Sequence, residues 1–186
     1  RVLPVNPKAK GLMGVTCHSS VTAIGDNIEL SVIAVPTGAV NQAVTDSIQA
    51  GAKAIIVITA GFKEAGGRGT ELETELRETI ARTGIRLVGP NCLGVINNNE
   101  GVRMNASFAT KMPKPGNIAF ISQSGALCTS VWDWAMEGNI GFSYFISVGN
   151  MLDVTMGDLI DYLGSATNTK SIILYIESIS ESREFM

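Results

Sequence analysis

The sequence holds a single histidine, His18, and only three cysteines, Cys17, Cys92 and Cys128, all far apart. A structural zinc site needs four ligands at short spacings, and with no Cys-x-x-Cys pair the chain has too few for a metal. An odd number of scattered thiols is equally unlike a disulfide framework, and reads as reduced cysteines of a cytoplasmic protein. Charge is sparse as well. Only 17% of the 186 residues are charged, the net charge is −3, and no basic run interleaves with aromatics, so nucleic acid is set aside as a partner. Any anionic ligand must then be gripped by local dipoles and one or two placed cations. Long apolar runs are missing too: each strand-like run stops at Gly, Pro or Thr well short of a membrane span, so no membrane is expected. The opening Arg1-Val2-Leu3-Pro4 is neither a Met start nor a signal peptide and reads as the tail of a strand. Glu184-Phe185-Met186 stops inside what reads as a starting helix, so the sequence is expected to be a fragment.

What is present is alternation. Residues 30–35 form a short, β-branched run ended by Pro36, as expected of a strand buried on both faces. Val40, Val44 and Ile48 then recur at helical spacing before Gly51. Residues 54–58 make the next strand, Leu72, Leu76 and Ile80 the next helical stripe with Gly84 as its stop, and residues 86–88 a third strand ended by Gly89-Pro90. Residues 97–116 break this rhythm with an Asn run and Lys111-Met112-Pro113-Lys114-Pro115-Gly116, which reads as an interdomain connection. Beyond it the alternation resumes: strand 117–121, helix 125–137, strand 142–148, helix 155–163, strand 171–175. Such a pattern supports parallel α/β sheets, in two domains at 1–110 and 111–186, the first lacking its opening βα unit and the second truncated.

In open parallel sheets ligands bind outside the carboxyl ends of the strands. That rule selects Asn6-Pro7-Lys8, Val35-Pro36-Thr37-Gly38, Ile58-Thr59-Ala60-Gly61-Phe62, Gly89 to Gly94 (with Asn91 and Cys92), Ser122-Gln123-Ser124-Gly125, Ser147 to Asn150, and Glu177-Ser178. These loops are rich in small and polar residues, which bring backbone amides and hydroxyls close to a ligand. Turn chemistry alone accounts for any one of them; their recurrence at successive strand ends favours a nucleotide-like ligand. The sharpest signal is Ser122 to Leu127, a strand running into a Ser-x-Ser-Gly turn that opens a helix. Free first-turn N–H groups and the helix dipole suit a phosphate there, and a serine capping the helix uses the same geometry. A serine nucleophile is disfavoured, since Gly-x-Ser-x-Gly is absent and His18 has no evident carboxylate partner. Lys8 could meet a ribose phosphate or be one more solvated lysine. Glu177 could orient an imidazole or simply be a polar residue leaving its strand. Cys92 reads as a packing residue more than a nucleophile.

Taken in order, Asn6-Pro7-Lys8, Ile58 to Phe62, Gly89 to Gly94, Ser122 to Leu127 and Ser147 to Asn150 resemble the α part of ADP-forming acyl-CoA (acetyl-CoA) synthetases, with succinyl-CoA synthetase α subunits as more distant relatives. The resemblance spans essentially the whole chain. It implies a Rossmann-like CoA-binding domain followed by a flavodoxin-like ligase domain. It also implies the reaction acyl-CoA + ADP + phosphate ⇌ acid + CoA + ATP, through an acyl phosphate and a phosphohistidine. By the same resemblance, Asn6, Pro7 and Lys8 would hold the adenosine end of CoA, and Val35, Pro36, Ile58, Thr59 and Ala60 would line its path. Asn91 and Cys92 would border the thiol; the helix start at Ser122, Ser124 and Gly125 would receive the phosphohistidine, which Glu177 would contact. ATP or ADP with Mg would sit on an ATP-grasp β subunit or fused domain, and the enzyme would be an oligomer acting on a small carboxylic acid. The family's Gly-rich phosphate loop would lie upstream of Arg1 and its phosphorylated histidine beyond Met186, so the fragment alone is expected to be inactive. Two rival readings stand beside this one: a CoA-sensing module of a lysine acetyltransferase, and an NAD-dependent Rossmann enzyme. The second lacks the acidic residue at its second strand end, where Asn6-Pro7-Lys8 stands.

Overall fold

A computed structural model describes residues 1–179; the helix start expected at 184–186 lies outside the described residues. The N-terminal segment forms a small hairpin, β1 (Gly11–Leu12) with β2 (Val15–Thr16), turned by Met13 and Gly14, both at positive φ. That is the backbone a tight hairpin with right-twisted strands requires. Val5 makes only an isolated bridge to His18, and residues 1–4 enter no strand. The strand expected to end before Lys8 is therefore not formed among the described residues, where this stretch keeps only that single bridge.

The first α/β unit runs β3 (Leu30–Ile33), α1 (Thr37–Gln49), β4 (Ala54–Val57), α2 (Arg68–Thr83), β5 (Arg86–Val88), with a parallel sheet in the order β3-β4-β5. Two right-handed crossovers advancing the same way place both helices on one face. There Val40, Val44, Leu76 and Ile80 pack on Ile33, Ile55, Val57 and Leu87, around the fully buried Phe62. Both helices stop on glycine as expected, Gly51 just past α1 and Gly84 in the left-handed conformation after α2. Among the described residues no helix covers the opposite face, and Ile56 and the partly buried Val88 meet Cys92 and Ala106 there instead. That cover is incomplete. Val32 is left 46% exposed, so β3, an edge strand, is not buried on both faces as its apolar run suggested.

Residues 97–116, read as a connection, prove to be strand-bearing. β6 (Gly94–Asn97) and β7 (Met104–Ser107) form an antiparallel hairpin that adds to the second sheet through β9. β8 (Lys114–Ser122) starts inside the Pro-Gly segment, with a register irregularity between Pro115 and Ile118 that accommodates the proline. Then come α3 (Gly125–Glu137), β9 (Gly141–Ser147), α4 (Met156–Gly164) and β10 (Ser171–Tyr175). The sheet order is β10-β8-β9-β6-β7. α3 packs on one face through Cys128, Val131 and Trp132 against Phe120 and Phe145, and α4 packs on the other through Met156 and Leu163 against Ile121 and Ile146. This half is doubly wound, with a switch point between the carboxyl ends of β8 and β10.

The segment after β9 joins the two halves. Backbone N–H groups of Asn150, Leu152 and Val154 donate to the carbonyls of Pro90, Gly89 and Leu87 at 2.9, 3.0 and 3.1 Å. Leu152 is buried in the core of the first unit. Gly149 makes the approach possible: its φ is +57°, and a Cβ there would sit 2.2 Å from the Pro90 carbonyl oxygen. The carboxyl ends of both parallel sheets are thereby brought face to face. Among the described residues no helix is long and apolar enough to cross a membrane.

Candidate functional site

Between those strand ends lies a cleft of about 450 Å³. The first unit contributes Ile58, Ala60, Asn91, Cys92 and Leu93, the hairpin contributes Phe108, and the second unit contributes Gln123, Ser124, Gly125, Ala126 and Glu177.

Its polar end is the start of α3. Ser124 caps the helix, its hydroxyl accepting the Leu127 N–H at 3.3 Å. The N–H groups of Gly125 and Ala126 precede the first intrahelical donor and carry the positive end of the helix dipole to the cleft wall. Ser122 shapes this turn from below. It is fully buried, accepts the Ser124 N–H at 3.0 Å and donates to the Ser124 carbonyl at 2.9 Å, so its hydroxyl is spent within the turn. Exposed Glu177, two residues past β10, stands at the same end of the cleft.

The opposite wall is held by the loops after β3, β4 and β5. Thr59 Oγ1 donates to the Val35 carbonyl at 2.7 Å, Thr37 Oγ1 donates to the Ala60 carbonyl at 2.8 Å, and the Asn91 N–H donates to the Thr59 carbonyl at 3.0 Å. Asn91 sits at φ +58°, a left-handed conformation that asparagine tolerates better than most residues. Cys92 is buried, and its thiol donates to the Val57 carbonyl at 3.3 Å. Burial pushes its pKa up to about 12, and burial likewise pushes Cys128 up to about 11. Burial thus disfavours in both the thiolate that a nucleophile needs near neutral pH.

Of the residues singled out from sequence, Ile58, Ala60, Asn91, Cys92, Ser124, Gly125 and Glu177 come together around this one cleft. Val35, Pro36 and Thr59 stand behind it: Val35 packs against the first core, Pro36 precedes α1, and Thr59 ties β4 to β3. Asn6, Pro7 and Lys8 do not line it. They form an exposed turn in which Asn6 Oδ1 accepts the N–H groups of Lys8 and Ala9 at 2.9 and 3.1 Å. His18 serves the same segment through its backbone, accepting the Asn6 N–H and donating to the Pro4 carbonyl.

Leu93, Phe108, Gln123 and Ala126 complete the lining, though none had a role assigned from sequence, and Leu93 lies in the Gly89 to Gly94 loop already named. Gln123 and Ala126 lay within a motif already noted, whereas Phe108 carries no local signal, since only the β6–β7 hairpin brings it here. A second group escaped as well. Glu73 is buried beneath the cleft wall, accepting the Asn150 side-chain N–H at 2.9 Å and the Lys63 N–H at 3.2 Å, with Lys63 Nζ and Arg77 each 3.7 Å away. Glu64 accepts from Gly61, Phe62 and Asn150 at 2.5, 3.1 and 2.6 Å. Burial pushes its carboxyl up, but these hydrogen bonds outweigh that and hold it below the usual carboxylate value.

Comparison with known proteins follows the same division of the chain. The sequence profile of a CoA binding domain matches residues 1–98, and that of the succinyl-CoA ligase like flavodoxin domain matches residues 115–186. The chain is 42% identical over its whole length to the Archaeoglobus fulgidus acetate–CoA ligase [ADP-forming] I, covering 27% of that protein. It is also 42% identical to the α subunit of the Pyrococcus furiosus acetate–CoA ligase [ADP-forming] II, covering 40% of it. A solved structure of the Ca. Korarchaeum cryptofilum dinucleotide forming acetyl-coenzyme A synthetase 1, in complex with phosphate and ADP, superposes with a TM-score of 0.90. Its sequence is 40% identical over 97% of this chain and 38% of that one. The chain thus spans about a quarter to two fifths of the length of the acetate–CoA ligases it matches.

Proposed function

Because the chain belongs to the CoA-binding family, continued by a succinyl-CoA ligase like flavodoxin domain, we propose that it is the CoA- and phosphohistidine-binding part of an ADP-forming acid–CoA ligase. Its two units would be residues 1–110 and 111–186, a reading supported by profile matches over 1–98 and 115–186, although the β6–β7 hairpin shares its sheet with the second unit. The enzyme would convert acyl-CoA, ADP and phosphate to a small carboxylic acid, CoA and ATP. ADP or ATP and Mg would be held by an ATP-grasp subunit or fused domain, in a cytoplasmic oligomer.

One observation carries this reading: the open start of α3 and Glu177 share a cleft with Asn91 and Cys92, which come from the other sheet. A phosphohistidine carries about two negative charges near neutral pH, and preorganised N–H donors at a helix start stabilise such a group without reorganisation. The Gly125 and Ala126 N–H groups would take the phosphoryl oxygens, and Ser124 and Ser122 hold the turn that aims them. Glu177 would accept from the imidazole and fix its orientation.

The residues also fit CoA. Ala60, Gly125 and Ala126 leave room for a narrow pantetheine arm, and Asn91 offers an amide beside its end. When bound, CoA supplies the thiol that becomes the acyl carrier; Cys92, held as a buried thiol, does not compete with it. Val35, Pro36, Ile58 and Thr59 would shape the path toward the adenosine end, with Asn6, Pro7 and Lys8 meeting the ribose phosphate.

The natural-length protein, with its nucleotide-binding part and γ-labelled ATP, is expected to acquire acid-labile, base-stable label on a histidine. Absence of that label, together with acetyl transfer to lysine, would overturn the ligase reading.

A further inference from the structure

Glu177 lies beyond the last paired residue of its strand. The β10 ladder ends at Tyr175, opposite Ser122 of β8, and among the described residues no sheet partner fixes residues 176–178. Backbone just past a strand end has many conformations open to it, so a carboxylate carried there has no fixed aim by default.

One side chain supplies the missing constraint. Gln123 Oε1 accepts the backbone N–H of Glu177 at 2.5 Å and that of Ser178 at 2.9 Å. Its Nε2 donates to Ser178 Oγ at 3.4 Å and, more weakly, to Met151 Sδ at 3.8 Å. Its own backbone N–H donates to the Tyr175 carbonyl at 3.1 Å. A carboxamide offers two acceptor lone pairs and two donor protons, and here all four are engaged with protein groups. Gln123 lines the cleft yet is only 8% exposed. It has nothing left for a ligand; what it can do is hold the turn. Because it stands one residue before the Ser124 cap, it ties the Glu177 turn to the same backbone that presents the first-turn N–H groups of α3.

We propose that Gln123 is a positioning residue, clamping the turn after β10 so that the Glu177 carboxylate is presented to the group bound at the start of α3. This rests on the role given to Glu177 above. Two successive N–H groups on one oxygen fix both peptide planes flanking Cα of Glu177, which is what sets the direction of its side chain.

The test uses the natural-length enzyme with its nucleotide-binding part. Gln123→Ala is expected to lower kcat about tenfold while KM for CoA stays within about twofold, the signature of a lost transition-state interaction. Amide hydrogen exchange in the peptide covering residues 176–178 should rise about tenfold or more. Gln123→Met, similar in volume but without acceptors, should behave alike; Gln123→Glu, which keeps both acceptor contacts, should retain the protection. In a Glu177→Gln background, adding Gln123→Ala should lower kcat no further, because the clamp acts only through that carboxylate. A full additional loss in the double variant, or unchanged exchange in Gln123→Ala, overturns the proposal alone. Wild-type kcat in Glu177→Gln overturns the reading of Glu177, and the proposal with it.

Discussion

Glu73 is a carboxylate set into an apolar helical face: the buried positions of α2 are Gly69, Glu73, Leu76 and Ile80. A buried acid is tolerated only when its lone pairs are occupied, and the Asn150 amide, the Lys63 N–H and two cations at 3.7 Å serve that purpose. Asn150 is the shared partner. Its amide also donates to Glu64 at 2.6 Å, and its oxygen accepts from the Asn91 side chain at 3.3 Å, so the cleft wall and this polar group are continuous. Glu64 supplies the measurable consequence. Its folded pKa is lowered, so its contribution to stability is present above the unfolded value and is lost as pH falls through the folded one. Glu64→Gln should therefore lower Tm at pH 7 and narrow toward the wild-type value at pH 3. A difference equal at both pH values would mean that the carboxylate charge has no part in it.

The elements follow their own sequences with two instructive exceptions. α4 shows the rule. Thr155 accepts the Asp158 N–H at 3.2 Å and Asp158 returns the bond to the Thr155 N–H at 2.8 Å, a reciprocal cap visible in Thr-x-x-Asp. Arg86 reaches the same carboxylate at 3.2 Å, linking the cap to the first sheet. Thr155→Ala should cost about 1 kcal/mol in denaturant unfolding; an unchanged midpoint would show that Arg86 alone holds the helix start. The exceptions are β7 and the beginning of β8. Met104-Asn105-Ala106-Ser107 has no β-branched residue and Lys114-Pro115-Gly116 holds two strand breakers, so local propensity argued against both. The first pairs with β6, which itself pairs with β9; the second tolerates its proline through a register shift.

At the scale of the molecule, the two α/β halves do not keep separate cores. Leu152, which follows β9 of the second sheet, is buried among Ile33, Val57 and Leu87 of the first. Arg86 and Leu87 both bond Asp153, through Nε at 3.0 Å and the backbone N–H at 2.7 Å. The cleft exists because this segment presses one set of strand ends against the other. Leu152→Ala should destabilise by about 2–5 kcal/mol and split a single denaturant transition into two, as the halves lose their common core. A single transition with an unshifted midpoint would show that the backbone bonds to Leu87, Gly89 and Pro90 suffice.

Much of this was already legible along the chain. Short continuous apolar runs and helical-spacing stripes located β3 to β5, α1 to α4 and β8 to β10, and glycine marked where α1 and α2 end, because these signals act within a few residues of one another. The rule that ligands gather at the carboxyl ends of parallel strands then pointed to the loops holding Ala60, Asn91, Ser124 and Glu177. Folding in three dimensions settled which of those loops meet. It turned Ser122 into the floor of a turn, left Lys8 on an exposed one, and carried Phe108 and Gln123 into the cleft. Those outcomes depend on pairings such as β6 with β9 and Leu152 with the first core, whose partners lie 47 or more residues apart in sequence. Burial and hydrogen-bond satisfaction act on the surroundings a side chain ends up with, and no short window of sequence contains those surroundings.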